Sequence, residues 1–257
     1  MPQQSDRIHT NRTRAESFGA DAVAYDRARP DYPPALIDDL LADRPDTALD
    51  VGCGTGKAAR LIAERGVQVL GVEIDERMAG VAREHRIDVE IGSFETWDAA
   101  GRSFDLIVSG QAWHWIDPDR GAARAAELLR PGGLLAPFWN FSTLDEDLRR
   151  RVDSAYDRVV PQLRTNSILH GAGPGTVPPL VEGLRSSGRF AHVEHRRYPW
   201  DHTYTREEWL DLMQTHSNHS TLPPAQLAQL VAAVREAIGE DAVPAHYVTE
   251  AIFARPR

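Results

Sequence analysis

A glycine-rich turn between a predicted strand and a predicted helix constrains this chain more than any other feature. Leu49 and Val51 flank Asp50 in the stretch TALDVGCGTGK, as at the end of a buried strand. Three glycines follow at alternate positions, before apolar residues at helical spacing: Gly52, Gly54 and Gly56. Because glycine lacks a Cβ, a ligand can approach this backbone closely, and the start of the following helix favours an electron-rich group.

The spacing of the glycines argues against two common nucleotide motifs. The dinucleotide fingerprint G-x-G-x-x-G has Lys57 at its third glycine, and counted from the second glycine it ends weakly at Ala59. The phosphate-binding loop fails at its first glycine, which is Val51, and after its lysine, where Ala58 stands. The pattern that fits is D-x-G-x-G-x-G beginning at Asp50.

Composition limits the classes of protein that the chain can belong to. It has 257 residues, of which 42% are apolar and 26% charged, as in ordinary soluble domains. A formal charge of −9 argues against a nucleic-acid surface. Cys53 is the single cysteine, so no internal disulfide forms, and no apolar run resembles a signal or a membrane span. We expect a cytoplasmic protein with no nucleic-acid or membrane partner.

Strand and helix patterns alternate along most of the chain, which predicts a doubly wound parallel sheet. We expect one domain, 1–257, in four parts: N-terminal helices in 1–45, a core in 46–140, an inserted helical cap in 141–188, and a C-terminal part in 189–257. Strands are predicted at 47–51, 67–73, 88–91, 104–109, 134–140, 190–199 and 245–254. In such sheets, ligands bind at the carboxyl ends of the strands.

Together these patterns resemble the class I S-adenosylmethionine-dependent methyltransferases. The glycine motif carries the resemblance, with Glu73 at the end of the second strand and the string FGADAVAYDRARPDYP at 18–33. The chain looks closest to the small-molecule, trans-aconitate-type (methyltransferase type 11) subgroup, best over 47–140 and loosely in the C-terminal third. The resemblance implies a Rossmann-like, seven-stranded, mostly parallel sheet with an antiparallel last strand and helices on both faces. It also implies S-adenosylmethionine as cofactor and S-adenosylhomocysteine as product.

The resemblance assigns residues to the cofactor. Asp50 and the three glycines would face its methionine part, Glu73 would accept both ribose hydroxyls, and Arg29 would pair with its carboxylate. Met78 would pack on the adenine, and Ser93 and Phe94 would contact its edge and face. Core packing is the alternative for Met78, and helix contacts are the alternative for Tyr25 and Arg29. Ser93 stands where many relatives have aspartate. The predicted cofactor set is Tyr25, Arg29, Asp50, Gly52, Gly54, Gly56, Glu73, Ile74, Met78, Ser93, Phe94 and Gln111.

The string GQAWHWID at 110–117 follows the fourth strand and lies where the acceptor would bind. Trp113 and Trp115 could form walls of an acceptor pocket, with Trp139 beside them. His114 is a candidate general base, with a structural loop histidine as the alternative. The pairs His192/His195 and His216/His219 lack a supporting Cys or carboxylate cluster, so no metal is expected.

The sequence therefore predicts an enzyme that transfers a methyl group to an O, N or C nucleophile of a small molecule by in-line displacement. Two alternatives keep the cofactor: a methyltransferase for RNA or protein, and a non-catalytic protein that binds S-adenosylmethionine. A nicotinamide-dependent oxidoreductase is disfavoured by Lys57. The oligomeric state and the acceptor stay open.

Overall fold

A computed structural model describes residues 21–163, 175, 177–216, 218–219, 222–240 and 242–257. One sheet runs through it in the order β3-β2-β1-β4-β5-β7-β6. Strands β1 to β5 are parallel, and β7 is antiparallel to both of its neighbours. The strands are β1 Thr47–Val51, β2 Gln68–Glu73, β3 Asp88–Ile91, β4 Phe104–Gly110, β5 Leu129–Leu144, β6 Phe190–Tyr204 and β7 Val243–Pro256. The predicted Rossmann-like fold is confirmed.

Helices cover both faces of the sheet, because the central strands β1, β4 and β5 present apolar side chains to both sides. On one face Leu36 and Ile62 pack with Leu106, and on the other Leu128 and Val181 pack with strand residues. The helices are α1 Ala22–Ala28, α2 Pro34–Leu40, α3 Lys57–Ala63, α4 Glu76–Glu84, α5 Pro118–Leu128, α6 Glu146–Val159, α7 Val177–Ser186, α8 Arg206–Gln214 and α9 Pro224–Ile238. None of the described helices is long and apolar enough to cross a membrane.

The strand order reverses direction at β1, which pairs with both β2 and β4. The carboxyl ends of β1 and β4 therefore flank the crevice in which ligands of doubly wound sheets bind. The glycine turn follows β1, and the WHW string, a short 3-10 helix at Trp113–Trp115, follows β4. The fold thus brings the two most distinctive sequence motifs to one edge of the sheet.

Strands β5, β6 and β7 extend past this edge and are longer than predicted. The extension is held by paired residues such as Leu144 with Ala245 and Tyr204 with Val243. Helices α6, α8 and α9 pack on it in a second apolar cluster, through side chains such as Tyr156 and Trp209. The extension therefore forms a wall beside the end of β4.

The range predicted as an inserted cap, 141–188, has three parts in the structure. Its first four residues belong to β5, and α6 then packs against α9. Helix α7 packs on the sheet, where Val181 and Leu184 lie in the same cluster as Ile252. Residues 164–174 and 176 lie outside the described residues, and the cap role stays a prediction.

Helix α1 is fastened over the start of α3 by charged side chains. Both oxygens of Asp26 accept hydrogen bonds from Arg60, at 3.2 and 2.7 Å, and Asp31 pairs with Lys57 at 3.1 Å. Burial would raise the pKa of Asp26, but hydrogen bonds from Thr55 and Arg60 hold it below its ordinary value. These pairs place the segment that follows α1 above the carboxyl ends of the strands.

Candidate active site

The glycine turn needs glycine at each of its three alternate positions. Gly52, Gly54 and Gly56 have φ values of +65°, +56° and +82°, in the left-handed region that other residues avoid. A Cβ on Gly52 would lie 2.6 Å from the Cβ of Ala112 in the loop after β4. The turn is therefore closely packed against the acceptor loop, which links the two halves of the site.

Gly52→Ala is expected to destabilise the protein more than Gly66→Ala does. Gly66 also has a positive φ, +90°, but its Cβ would meet nothing within 4 Å. Both substitutions strain the backbone, whereas only the first adds a clash, worth about 1–3 kcal/mol of unfolding free energy. Urea unfolding of both variants measures the difference. Equal losses of unfolding free energy in the two variants would show that the contact between the two loops contributes nothing to stability.

Glu73 lies at the end of β2 and is bonded to the glycine turn. Its side chain accepts hydrogen bonds from the backbone N–H groups of Gly54 at 2.9 Å, Ile74 at 2.7 Å and Asp75 at 3.0 Å. Burial raises its pKa, although these three donors oppose the rise. A carboxylate offers about four acceptor sites, so accepting both ribose hydroxyls would require one of these three contacts to be released.

Asp50 is a buried carboxylate to which the described residues offer no well-aligned hydrogen-bond donor. The residue is 1% exposed, and both of its oxygens lack such a donor. Burial raises its pKa to about 7, and the charge of Glu73 adds to the rise, while the nearby backbone N–H of Ala59 opposes it. Buried charges are ordinarily paired, so this carboxylate suits a cationic ligand group such as an ammonium.

The residues assigned to the adenine differ in their contacts and in their exposure to solvent. The side chain of Met78 reaches the glycine turn, 3.4 Å from where a Cβ on Gly54 would lie, and Ile74 is 41% exposed at the strand end. Ser93 donates a hydrogen bond to Glu95 at 2.6 Å. Phe94 is 2% exposed and packs in the core, which does not favour stacking of its ring on adenine.

Helix α1 brings Tyr25 and Arg29 to the site in different ways. Tyr25 packs against the apolar cluster that contains Met78. Arg29 lies over the Tyr25 ring at 5.0 Å, but its Nη2 donates to the carbonyl of Thr215, after α8, at 3.0 Å. Pairing of Arg29 with the carboxylate of the cofactor stays a prediction.

The loop after β4 begins with a strained residue. Gln111 has φ +61°, unusual for a residue other than glycine, and its N–H donates to the carbonyl of Phe138 at 2.8 Å. Strain of this kind is often found at functional sites. The contact of Gln111 with the cofactor stays a prediction.

The aromatic residues of the acceptor site do not all face a pocket. Trp113 is 2% exposed and packs 6.0 Å from Phe94, and Trp139 is fully buried. Their burial in the core argues against the predicted role of both as pocket walls. Trp115 is partly exposed, with its ring 4.9 Å from His114. His114 and Trp115 are thus the members of this set that remain partly exposed.

The hydrogen bond of His114 determines which of its nitrogens carries the proton. The indole Nε1–H of Trp139 donates to Nδ1 of His114 at 3.0 Å. Because a neutral imidazole has one lone-pair nitrogen, the proton of the neutral ring lies on Nε2. The lone pair that a general base would use is therefore occupied by Trp139. This geometry favours His114 as a hydrogen-bond donor over the predicted general base.

Trp139→Phe is expected to abolish this tautomer preference. Two-bond ¹H–¹⁵N correlation spectra of the neutral ring, recorded at about pH 8, should show the Nε2–H form of His114 in the wild type. The variant should show a mixture of both forms. Trp115→Phe is the matched control, since it removes an indole that contacts the His114 ring without this bond. An Nδ1–H form in the wild type would contradict the assignment.

Two residues that the sequence did not single out also shape the site. Tyr32 packs edge-on against Phe138 at 4.6 Å, and its hydroxyl lies 2.6 Å from where a Cβ on Gly110 would be. Asn140 donates to the carbonyl of Asp31 at 3.0 Å and accepts from Thr249 at 2.7 Å. Tyr32 falls within the string that carries the family resemblance, and Asn140 lies in β5 as the first polar residue after its apolar run 134–139.

The histidine pairs have other partners. His195 contacts Glu250 at 3.1 Å, and both His216 and His219 face the carbonyl of Met213. Among the described residues, no group of three or more His, Cys, Asp or Glu side chains could hold a metal ion.

Comparison with known proteins identifies the family. Residues 49–136 match a methyltransferase domain model. The chain is 31% identical over 229 residues to an uncharacterised methyltransferase of Mycobacterium tuberculosis, covering 88% of this chain and 87% of that one. These matches include the glycine turn, Glu73 and the loop after β4.

Solved structures share the fold. A candidate type II methyltransferase of Anaeromyxobacter dehalogenans superimposes with a TM-score of 0.63 at 24% identity, over 89% of this chain and 99% of that one. Phosphoethanolamine N-methyltransferase 2 of Haemonchus contortus, solved with S-adenosyl-L-methionine, gives a TM-score of 0.55 at 19% identity, over 100% and 61% of the two chains. The trans-aconitate-type subgroup stays a prediction. The chain belongs to the class I S-adenosylmethionine-dependent methyltransferases, and S-adenosylmethionine is its cofactor.

Proposed function

We propose that the protein methylates a small-molecule acceptor in the crevice between the glycine turn and the loop after β4. The observation that carries the proposal is the carboxylate of Asp50, which is buried beside the turn with no well-aligned hydrogen-bond donor among the described residues. Such a group fits the ammonium of the methionine part of the cofactor. When bound, the cofactor supplies a methyl group on a sulfonium, which is an activated leaving group.

The protein's own residues bind and orient in this proposal. Asp50 and the glycine turn hold the methionine part, and Glu73 holds the ribose. Ile74, Met78 and Ser93 border the adenine, while Tyr25 and Gln111 close the site. His114 donates a hydrogen bond from Nε2 to the acceptor, and Trp115 forms part of its pocket. The transfer then needs an in-line approach and exclusion of water.

A small acceptor is favoured by the charge of the chain. Helix α1 and the segment after it are held to α3 beside the glycine turn by the pairs Asp26–Arg60 and Asp31–Lys57. The chain carries a formal charge of −9, which disfavours a polyanion. An acceptor with a carboxylate nucleophile would need no base, whereas a hydroxyl or ammonium acceptor would have to lose a proton.

The experiment supplies S-adenosylmethionine with a tritiated methyl group and three acceptor pools from a bacterial lysate: metabolites, RNA and proteins. The proposal predicts label in the metabolite pool and not in the other two. Label in RNA or protein would show a macromolecular acceptor instead. Bound cofactor without transfer to any pool would favour a non-catalytic binding protein. Glu73→Ala serves as the control for transfer that depends on this site.

A further inference from the structure

Arg29 is a partly buried cation to which none of the described residues supplies a counter-ion. Of its five N–H donors, Nη2 donates to the carbonyl of Thr215, while Nε is buried and has no hydrogen-bond acceptor. No carboxylate in the described part of the chain lies within ion-pair distance of it, in contrast to Arg27, which pairs with Asp211 at 3.2 Å. A guanidinium in this state is suited to bind an anion.

The side chains around Arg29 are neutral. The charge of Arg29 acts on Tyr32, whose pKa the charge of Asp50 also affects, and on two histidines and two further tyrosines. These last four form with Arg29 what we term the Arg29 cluster: Arg29, Tyr204, His216, His219 and Tyr247. Burial, followed by the charges of Arg29 and His219, lowers the pKa of His216. The pKa of His219 is lowered to about 4, mainly by burial and also by the charge of Arg29, while a hydrogen bond to Met213 opposes the shift. Both rings are therefore neutral at pH 7.

Hydrogen bonds hold these neutral side chains in place. Nδ1 of His216 and Nδ1 of His219 face the carbonyl of Met213, at 3.1 and 2.6 Å, so each of these nitrogens carries its proton. The hydroxyls of Tyr204 and Tyr247 are 2.8 Å apart, and burial raises the pKa of both. The cluster therefore offers one positive charge and hydroxyl groups, and it contains no negative charge of its own.

The two tyrosines of the cluster lie on the acceptor side of the sheet, whereas Arg29 itself lies over the ring of Tyr25, which packs against Met78. Tyr204 ends β6, and Tyr247 pairs with Ser142 of β5 in the extension beyond the sheet edge. The glycine turn and Glu73 instead follow β1 and β2, on the other side of β4. The hydrogen bond from Asn140 to the carbonyl of Asp31 keeps the segment after Arg29 at the end of β5.

We propose that Arg29 binds an anionic group of the acceptor, a carboxylate or a phosphate, and not the carboxylate of the cofactor. This inference rests on the proposed function, since it assigns a chemical class to the acceptor of the same site. The guanidinium would give the anion paired N–H donors, and the tyrosine hydroxyls would add hydrogen bonds. The nucleophile would then be another atom of the same molecule or the second oxygen of the carboxylate.

Calorimetry on the full chain tests the inference with Arg29→Met, using Arg27→Met as the control for loss of an exposed charge. The probes are S-adenosylhomocysteine, 5′-methylthioadenosine (which lacks the amino-acid part), and malonate or inorganic phosphate added to protein saturated with S-adenosylhomocysteine. We expect Arg29→Met to bind S-adenosylhomocysteine within about threefold of wild type. It should bind malonate or phosphate at least about tenfold more weakly than wild type does. The anion that the wild type prefers distinguishes a carboxylate from a phosphate site.

Two results would overturn the inference. The first is a large loss of S-adenosylhomocysteine affinity in Arg29→Met with 5′-methylthioadenosine unaffected, which would place Arg29 on the carboxylate of the cofactor. The second is an anion affinity of the loaded protein that does not depend on Arg29. If the wild type does not bind S-adenosylhomocysteine at all, the proposed function itself fails. Arg29→Lys, which keeps the charge and loses the planar fork, replaces the methionine variant if that one unfolds.

Discussion

Glu73→Ala is expected to weaken S-adenosylhomocysteine binding by about 100-fold. The carboxylate ends β2 beside the glycine turn, where it would accept ribose hydroxyls, and it already orients the N–H of Gly54. Its removal would take away both the ligand's acceptor and a restraint on the turn. Calorimetric titration measures the loss directly.

Glu76→Ala is the matched control for this prediction. Glu76 lies three residues further on, is well exposed and pairs with Arg83 at 2.6 Å. Its loss should change the affinity by about twofold or less, since exposed ion pairs contribute little. Glu73→Gln keeps one acceptor oxygen, so its affinity for S-adenosylhomocysteine should lie between those of Glu73→Ala and Glu76→Ala. It replaces Glu73→Ala if the alanine variant does not fold. If Glu73→Ala bound S-adenosylhomocysteine as tightly as the wild type, Glu73 would not contribute to cofactor binding.

Asp50→Asn is expected to change the pH dependence of stability. The pKa of Asp50 is about 7 in the folded protein, against an ordinary value of 3.8. The folded state therefore holds a proton that the unfolded state has lost between these values, and this contribution to stability disappears as pH rises through 7. From pH 5 to pH 8 the wild type should lose about 2–3 kcal/mol of unfolding free energy relative to the variant.

Urea unfolding at the two pH values, without ligand, measures this difference. Asp119→Asn, at an exposed position, should leave the pH dependence of the wild type unchanged. In the presence of S-adenosylhomocysteine, Asp50→Asn should bind at least about tenfold more weakly at pH 8, because an ammonium loses its charged partner. A pH dependence that is the same in wild type and Asp50→Asn would show that Asp50 is ionised throughout this range.

The order of strands and helices could be predicted from the sequence because periodicity and turn residues agree over 47–140. The lengths of β5, β6 and β7 could not. Pro199 suggests the end of a strand, but β6 is an edge strand, where a missing backbone N–H is tolerated. The strand therefore continues to Tyr204, and the wall that carries the Arg29 cluster depends on that extension.

The cofactor half of the site was more predictable than the acceptor half. Gly52 and Glu73 fall at fixed places relative to strand ends, so their positions in the structure could be predicted from their spacing in the sequence. Trp113 and Trp115 stand in one string, and only the 3-10 turn shows that the first is buried in the core while the second stays partly exposed. The bond between His114 and Trp139 joins residues 25 apart and left no signal in the sequence.

Calorimetric titration of the wild-type chain with S-adenosylhomocysteine, with NAD as the control ligand, tests the central claim most directly. The account predicts binding of the thioether with a dissociation constant in the micromolar range and no binding of NAD. Binding of NAD without binding of S-adenosylhomocysteine would contradict it. That result would assign the glycine turn to a different cofactor.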